Sequence, residues 1–256
     1  MNRNQKLVTP SESAPFKVMI LAAGRGERMR PLTDTIPKPL LQAGGKALIE
    51  YHLVNLARAG FTEIVINHAY LGEMIENTLG NGERYGVNIN YSHEPLVLET
   101  AGGIANALPL LTNQSEQQPF LVINGDVYCE LDFTLLLPVL QRMHADPAAY
   151  LAHLILVDNP THHPEGDFAL DKNQIKLTGS KRLTFSGIGI YQPKLFSDVK
   201  QNIPTKLAPL LRQAINDGKV SGEYFSEIWI DVGTSERLNY LNRLLNQKSS
   251  VIHNNK

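Results

Sequence analysis

The amino-acid sequence predicts an α/β protein: a mostly parallel central sheet, helices on both of its faces, and a small antiparallel extension. Three observations carry that expectation. Residues 16–23 (FKVMILAA) are an unbroken apolar run, as in a strand covered on both faces. From there to residue 157, β-branched segments alternate with segments whose apolar residues recur at helical spacing. After about Asn159 the pattern changes to short segments separated by polar turns.

The elements follow in order. The first strand covers 16–23. Residues 46–59 place Leu48, Ile49, Leu53, Leu56 and Ala57 at helical spacing and stop at Gly60, positioned as a C′ glycine. Residues 62–67 (TEIVIN) read as a second strand, followed by a helix over 71–79. Strands at 87–91 and 120–123 flank a small-residue helix near 103–108. Asp132 is placed to cap a helix running through Met143, and 149–157 is strand-like again. Residues 168–170, 174–177 and 184–191 form the antiparallel extension, and helices return over 206–216 and 235–245. With no internal repeat and no Ser- or Gly-rich linker, residues 16–246 read as one continuous domain. A flexible tail is expected over 1–15 and a polar, fraying tail over 247–256.

Composition narrows the function. The chain has 256 residues, 43% of them hydrophobic and 19% charged, which are globular proportions. Its formal net charge of −1 supplies no bulk field for nucleic acid or an anionic membrane, so neither is expected as a partner. No apolar run approaches the ~18 residues of a membrane-spanning helix, and the polar N-terminus does not read as a secretory signal. The single cysteine, Cys129, reads as a small buried thiol and favours a reducing compartment, so a cytoplasmic protein is expected.

The most informative stretch is 21–40, LAAGRGERMRPLTDTIPKPL. A buried strand runs into a loop with Gly24 and Gly26, then Arg28 and Arg30, then Lys38 between Pro37 and Pro39. Glycine lets backbone N–H groups approach a phosphate, arginine offers a planar fork to its oxygens, and the prolines stiffen the support under Lys38. Together they predict an anion site. It is neither a dinucleotide fingerprint, because Met29 replaces the third glycine, nor a P-loop, because no Gly-Lys-Ser/Thr follows. Asn124-Gly125-Asp126 directly follows a buried strand, where ligands collect in open α/β sheets. Asp231, in WIDVGT, is a second carboxylate ahead of a helix, and the two could share one Mg²⁺. His162-His163 reads as a polar loop, since no third ligand lies at a zinc-like spacing. His52 reads as a packing or surface residue.

These residues resemble the sugar-phosphate nucleotidyltransferase family, which carries G-x-G-x-R…P-K-P after its first strand. Glu99-Thr100-Ala101-Gly102-Gly103, Asn124-Gly125-Asp126, 185–191 (FSGIGIY) and 229–234 (WIDVGT) follow in family order, so the resemblance covers about 16–246. It implies a Rossmann-like, glycosyltransferase-A-like fold. It also implies that Ala22, Ala23 and Gly24 line the base and ribose. Gly26 and Arg28 would hold the triphosphate, with Arg28 neutralising the leaving pyrophosphate. Thr100, Ala101 and Gly102 would pass near the base, with Asn67 a further candidate there. Lys38 would hold the phosphate of the incoming sugar, and Arg28 and Lys38 would be the catalytic cations. Asn124, Gly166, Asp167, Ser186 and Gly187 would meet the sugar phosphate, and Asp126 and Asp231 would coordinate Mg²⁺.

The implied reaction transfers UMP from UTP to a sugar 1-phosphate, N-acetylmuramate α-1-phosphate in bacterial cell-wall recycling. It releases pyrophosphate and leaves a UDP-sugar. Guanylyl transfer to mannose 1-phosphate, thymidylyl transfer to glucose 1-phosphate, and a non-catalytic sensing subunit on the same fold are the alternatives. The sequence departs from the family in one place. Many relatives carry a Glu-Lys-Pro triplet before the Gly-Ile-Tyr strand, whereas this chain has Gly179-Ser180-Lys181-Arg182. Lys181 or Arg182 is therefore expected to face an acidic 3-O-lactyl group. Without the left-handed β-helix that trimerises some relatives, a monomer is expected.

Overall fold

The computed structural model describes residues 16–112 and 118–254, with side chains through Lys248; the tail expected over 1–15 lies outside the described residues. Among them the elements run β1 (Val18–Leu21), β2 (Gln42–Ala43), β3 (Lys46–Ala47), α1 (Leu48–Arg58), β4 (Glu63–His68), α2 (Gly72–Leu79), β5 (Asn88–His93) and α3 (Glu99–Leu111). They continue β6 (Phe120–Asn124), β7 (Val127–Cys129), α4 (Leu137–Ala145), β8 (Ala152–Val157), β9 (Phe168–Asp171), β10 (Gln174–Lys176) and β11 (Arg182–Tyr191). The chain closes with α5 (Leu207–Asn216), β12 (Val220–Tyr224), β13 (Trp229–Asp231) and α6 (Ser235–Asn254).

Alternation along the strands explains why both faces of the sheet are covered. Val18 and Ile20 of β1 join Ile64, Ile66, Leu121 and Ile123 in a core capped by Ile49, Leu53 and Leu56 of α1 and by α4. Met19, one residue between, points to the opposite core with Val65, Val122 and Leu154, capped by Ile104 of α3 and Leu211 of α5. Each fully buried aliphatic side chain contributes about 1.5–3 kcal/mol. α1 stops where the sequence places its end: Gly60 takes φ +86°, its N–H reaches Ala57 O, and Phe61 N–H reaches Leu56 O. Asp132 accepts a hydrogen bond from Thr134 N–H and caps a single 3₁₀ turn before α4.

The nine-stranded sheet has the order β5-β4-β1-β6-β11-β8-β12-β10-β9. Its first four strands are parallel, and β11 then runs antiparallel to both β6 and β8. The antiparallel extension is thus continuous with the main sheet, because β11 pairs successively with β9, β8 and β6. β1 has β4 on one side and β6 on the other, so connections leave it in opposite directions. The crevice beyond the carboxyl ends of β1 and β6 is the topological switch point.

Two helices run past their expected limits. α3 begins at Glu99 because Thr205 O accepts from the N–H groups of both Ala101 and Gly102, satisfying donors that the local sequence leaves open. α6 continues to Asn254, so residues 247–254 are helical and not the expected fraying tail. Leu238 and Leu241 pack with Met29, Leu41 and Val232, Asn242 accepts from Gly44 N–H, and Lys248 pairs with Glu130. No helix among the described residues is long and apolar enough to cross a membrane.

Candidate active site

Two adjoining cavities open at the switch point and share Asn124 and Asp126. The first is lined by the end of β1 and its glycine loop (Ala22, Ala23, Gly24), by Lys38, and by Asn67, Glu94 and Thr100. A Cβ at Gly24 would meet nothing within 4 Å, so the loop leaves open space at this point. Gly26 lines neither cavity. It takes φ +69° and packs tightly on Thr33 and Lys38, folding the loop back onto the Lys38 support.

A buried chain of hydrogen bonds fixes the floor of this cavity. Ala22 N–H donates to Asn67 Oδ1 at 2.8 Å, Asn67 Nδ2 donates to Glu94 Oε1 at 2.6 Å, and Leu98 N–H donates to Glu94 Oε2 at 2.9 Å. Burial raises the Glu94 carboxyl above the ordinary carboxylate range, opposed by the Leu98 and Asn67 donors. Gly103 is required beside it: a Cβ there would lie 2.5 Å from Glu94 Oε1. Glu94 was not singled out from the sequence, where it follows a polar strand end with no motif to mark it. Thr100 faces the cavity, whereas Ala101 and Gly102 back onto the 203–205 loop; a Cβ at Gly102 would lie 2.6 Å from Ile203 O. His68 is buried beside exposed Glu76, 2.6 Å away, and lines a separate cavity.

The second cavity is built from the other half of the sheet. Arg28, Asp167, Ser186, Gly187 and Asp231 line it, joined by His162, His163 and Trp229. The register of β11 on β8 shifts between Phe185 and Gly189, a bulge that takes Ser186 and Gly187 out of the regular pleat. Trp229 Nε1 donates to Ser186 O at 2.9 Å, and Gly187, at φ +79°, leaves no room for a Cβ beside Asn124. Gly166 lines neither cavity; a Cβ on it would lie 2.6 Å from Asn159 Oδ1. Asp167 is held by Phe185 N–H at 2.8 Å and by His163 Nε2 at 3.1 Å. Arg28 stands in this second cavity, beside Asp231, and not among the residues lining the first.

Charges converge where the cavities meet. Lys38 is 7% exposed, and its ammonium is paired with Asp126, 88 residues away in sequence. A cation this buried needs such a partner. Asp231 pairs with Arg237 at 2.9 Å. The two aspartates sit at adjacent positions of the β7–β13 ribbon, where Val232 N–H donates to Asp126 O. Both carboxylates are part-exposed to the same cavity, an oxygen donor pair that fits a hard divalent cation completing its shell with water and phosphate oxygens. Among the described residues no cluster of three or more His, Cys, Asp or Glu could hold a metal by itself. Lys181 and Arg182 do not face this cavity: Lys181 is 74% exposed and pairs with Asp158, and Arg182 donates to Asp167 O. The expectation that they meet an acidic sugar is not met: neither side chain lines the second cavity. Cys129 is buried, and burial pushes its thiol up to about 11.

The chain is 55% identical over 227 residues to N-acetylmuramate alpha-1-phosphate uridylyltransferase of Neisseria meningitidis, covering 87% of this chain and 95% of that protein. It is 31% identical to a mannose-1-phosphate guanyltransferase of Neurospora crassa over 85% of this chain, and spans 61% of that longer protein. Its fold matches a crystal structure of UDP-glucose pyrophosphorylase complexed with UDP-glucose, with a TM-score of 0.70, 18% identity, and coverage of 91% of this chain and 99% of that one. The model of the nucleotidyl transferase family matches residues 17–248. The chain belongs to the nucleotidyl transferase family.

Proposed function

We propose that this chain transfers UMP from UTP to N-acetylmuramate α-1-phosphate, releasing pyrophosphate and forming the UDP-sugar. The observation that carries this reading is the pairing of Lys38 with Asp126 at the boundary of two cavities, one floored by the buried Asn67–Glu94 chain and one walled by the β11 bulge. High identity to a uridylyltransferase over nearly its whole length selects this nucleotide and acceptor. The nucleotide occupies the first cavity, on Ala22, Ala23, Gly24, Asn67 and Thr100. Gly26 supports the loop, and Ala101 and Gly102 position Thr100. The sugar phosphate occupies the second, on Asn124, Asp167, Ser186 and Gly187, with Gly166 shaping the loop that carries Asp167.

The attacking group is an oxygen of the sugar 1-phosphate, already anionic at neutral pH, so no general base is needed. The difficulty is bringing it against a polyanionic triphosphate. Two unit charges ~4 Å apart interact by about 4 kcal/mol at an effective dielectric of 20. Lys38 holds the sugar phosphate in line with the α-phosphorus, and Arg28, on the second cavity beside Asp231, offsets phosphate charge where the two substrates meet. Asp126 and Asp231 would hold Mg²⁺, which when bound supplies further neutralisation of phosphate charge. Metabolic placement in peptidoglycan recycling, a cytoplasmic location and a monomeric state complete the reading; the buried Cys129 thiol fits a reducing compartment.

The test is pyrophosphate release from four nucleoside triphosphates crossed with a panel of sugar 1-phosphates. UTP with N-acetylmuramate α-1-phosphate is expected to give the highest kcat/KM. Preference for GTP with mannose 1-phosphate, or for dTTP with glucose 1-phosphate, would replace this reading.

A further inference from the structure

The first cavity is short of positive charge for the nucleotide it would take. Among the described residues lining it, Lys38 is the single cation, set against the carboxyl groups of Glu94, Glu99 and Asp126, and Lys38 is already paired with Asp126. A nucleoside triphosphate adds several negative charges, and its β- and γ-phosphates depart as pyrophosphate. The glycine loop carries three arginines available to meet them. Arg30 is paired with Asp34 at 2.7 Å, and Arg28 stands in the second cavity beside Asp231. Arg25 remains. It is exposed, and among the described residues no carboxylate lies within ion-pair distance of it.

The fold sets the Arg25 guanidinium on the nucleotide side of the rim. Arg25 follows Gly24, which lines the first cavity, and its guanidinium carbon lies 4.9 Å from the centroid of the Tyr70 ring. Tyr70 comes just beyond β4, the neighbour of β1 on the side away from β6, and Asn67 at the end of β4 lines the same cavity. The second cavity lies on the other side of β1, against the ends of β6 and the β11 bulge. The ring is itself anchored, because the Tyr70 hydroxyl donates to Asp34 O at 2.9 Å. Stacking occupies only the face of a guanidinium. Its N–H donors stay free along the edge, in the plane that matches phosphate oxygens.

We propose that Arg25, held on the Tyr70 ring, is the cation that meets the β- and γ-phosphates of the nucleotide and the pyrophosphate they become. As the sugar phosphate oxygen bonds to the α-phosphorus, the bond from that phosphorus to the oxygen bridging to the β-phosphate breaks. Its electron pair leaves on pyrophosphate, where Arg25 offsets the added charge. This inference rests on the proposed uridylyl transfer and deepens it by assigning the leaving-group cation. It moves the pyrophosphate contact from Arg28 to Arg25, on the opposite side of β1.

The experiment runs the reaction in reverse, from UDP-N-acetylmuramate and pyrophosphate, and measures binding of UTP and UMP by calorimetry. It compares wild type with Arg25→Ala, Arg25→Lys, Tyr70→Leu and Arg28→Ala. Arg25→Ala is expected to raise KM for pyrophosphate and weaken UTP binding at least about tenfold each, the scale of one hydrogen bond to a charged group, and to change UMP binding less than about twofold. Arg25→Lys, which keeps the charge without the planar fork, is expected to recover part of the loss. Tyr70→Leu, which removes the stacking face, is expected to show the same pattern at about two- to fivefold. Arg28→Ala is expected to leave KM for pyrophosphate unchanged. An equal loss on UTP and UMP, or a rise in KM for pyrophosphate in Arg28→Ala and not in Arg25→Ala, overturns the assignment while leaving uridylyl transfer intact. A wild-type enzyme that favours another base or sugar overturns the proposed substrate pair alone, because Arg25 meets phosphate groups common to every nucleoside triphosphate.

Discussion

On the nucleotide side of the cleft, Ala22, Asn67, Glu94 and Leu98 are joined by buried hydrogen bonds that run from β1 through β4 to the start of α3. On the acceptor side, Asp231, Arg237, His162, His163 and Asp167 are joined by pairs that are each part-exposed, and they sit on loops and beside a β-bulge. The physical difference is solvation. A buried chain of polar groups has one satisfied arrangement, and losing any member leaves another unpaired in low dielectric. Part-exposed pairs can exchange a protein partner for water or ligand at small cost. The first cavity is therefore expected to tolerate substitution poorly, and the second to accept it residue by residue.

The largest effect is expected where the two sides meet. Lys38→Ala removes the buried cation of the first cavity, paired with the Asp126 that both cavities share, and kcat should fall by roughly 10²–10³-fold, the scale of one electrostatic stabiliser. Near wild-type pyrophosphate release would break the assignment. Next comes acid sensitivity beneath the junction. Burial lowers the His52 imidazole to about 4, against the Val127 and Asn124 carbonyls and the Asp126 charge that favour protonation. Its folded value lies below the unfolded 6.5, so the unfolded chain binds more protons between those pH values. Stability is therefore present above about pH 6.5 and is lost as pH falls towards 4, by about 3 kcal/mol from this group. Urea titrations at pH 7 and pH 4 should show a shallower acid limb in His52→Leu than in wild type.

Asn67→Ala sharpens the contrast further. It leaves Ala22 N–H without its acceptor and Glu94 Oε1 without its donor, so a stability loss of about 1–3 kcal/mol with a raised KM for UTP is expected. An unchanged KM for UTP would show that the buried chain does not shape the nucleotide cavity. Gly187→Ala acts on the other side: φ +79° costs a non-glycine residue about 1–2 kcal/mol and crowds Asn124, raising KM for the sugar phosphate and sparing UTP. The smallest effect belongs to Lys181→Ala. Its exposed pair with Asp158 is worth under about 1 kcal/mol, and acceptor preference should not move. A shift in that preference would assign acceptor recognition to the 179–182 segment.

Legible in the sequence were the longer strands β1, β4, β5 and β6, the helices α1 and α2, the glycine loop, the end of α1 at Gly60, and the burial of Cys129, but not the short strands β2, β3 and β7. Each legible feature is written in local patterning, where hydrophobic period, a terminating glycine or a proline pair acts within a few residues. Tertiary contacts alone put Glu94 on the floor of the first cavity, start α3 early through Thr205, carry α6 to Asn254, and leave His162 rather than Lys181 lining the second cavity. Those outcomes depend on partners far apart in sequence, such as His162 with Arg237 at a separation of 75 residues, and on which side of a strand a loop folds. Local propensity cannot encode such pairings, because a hydrogen bond or ion pair gains its strength only after the fold has brought both groups out of water.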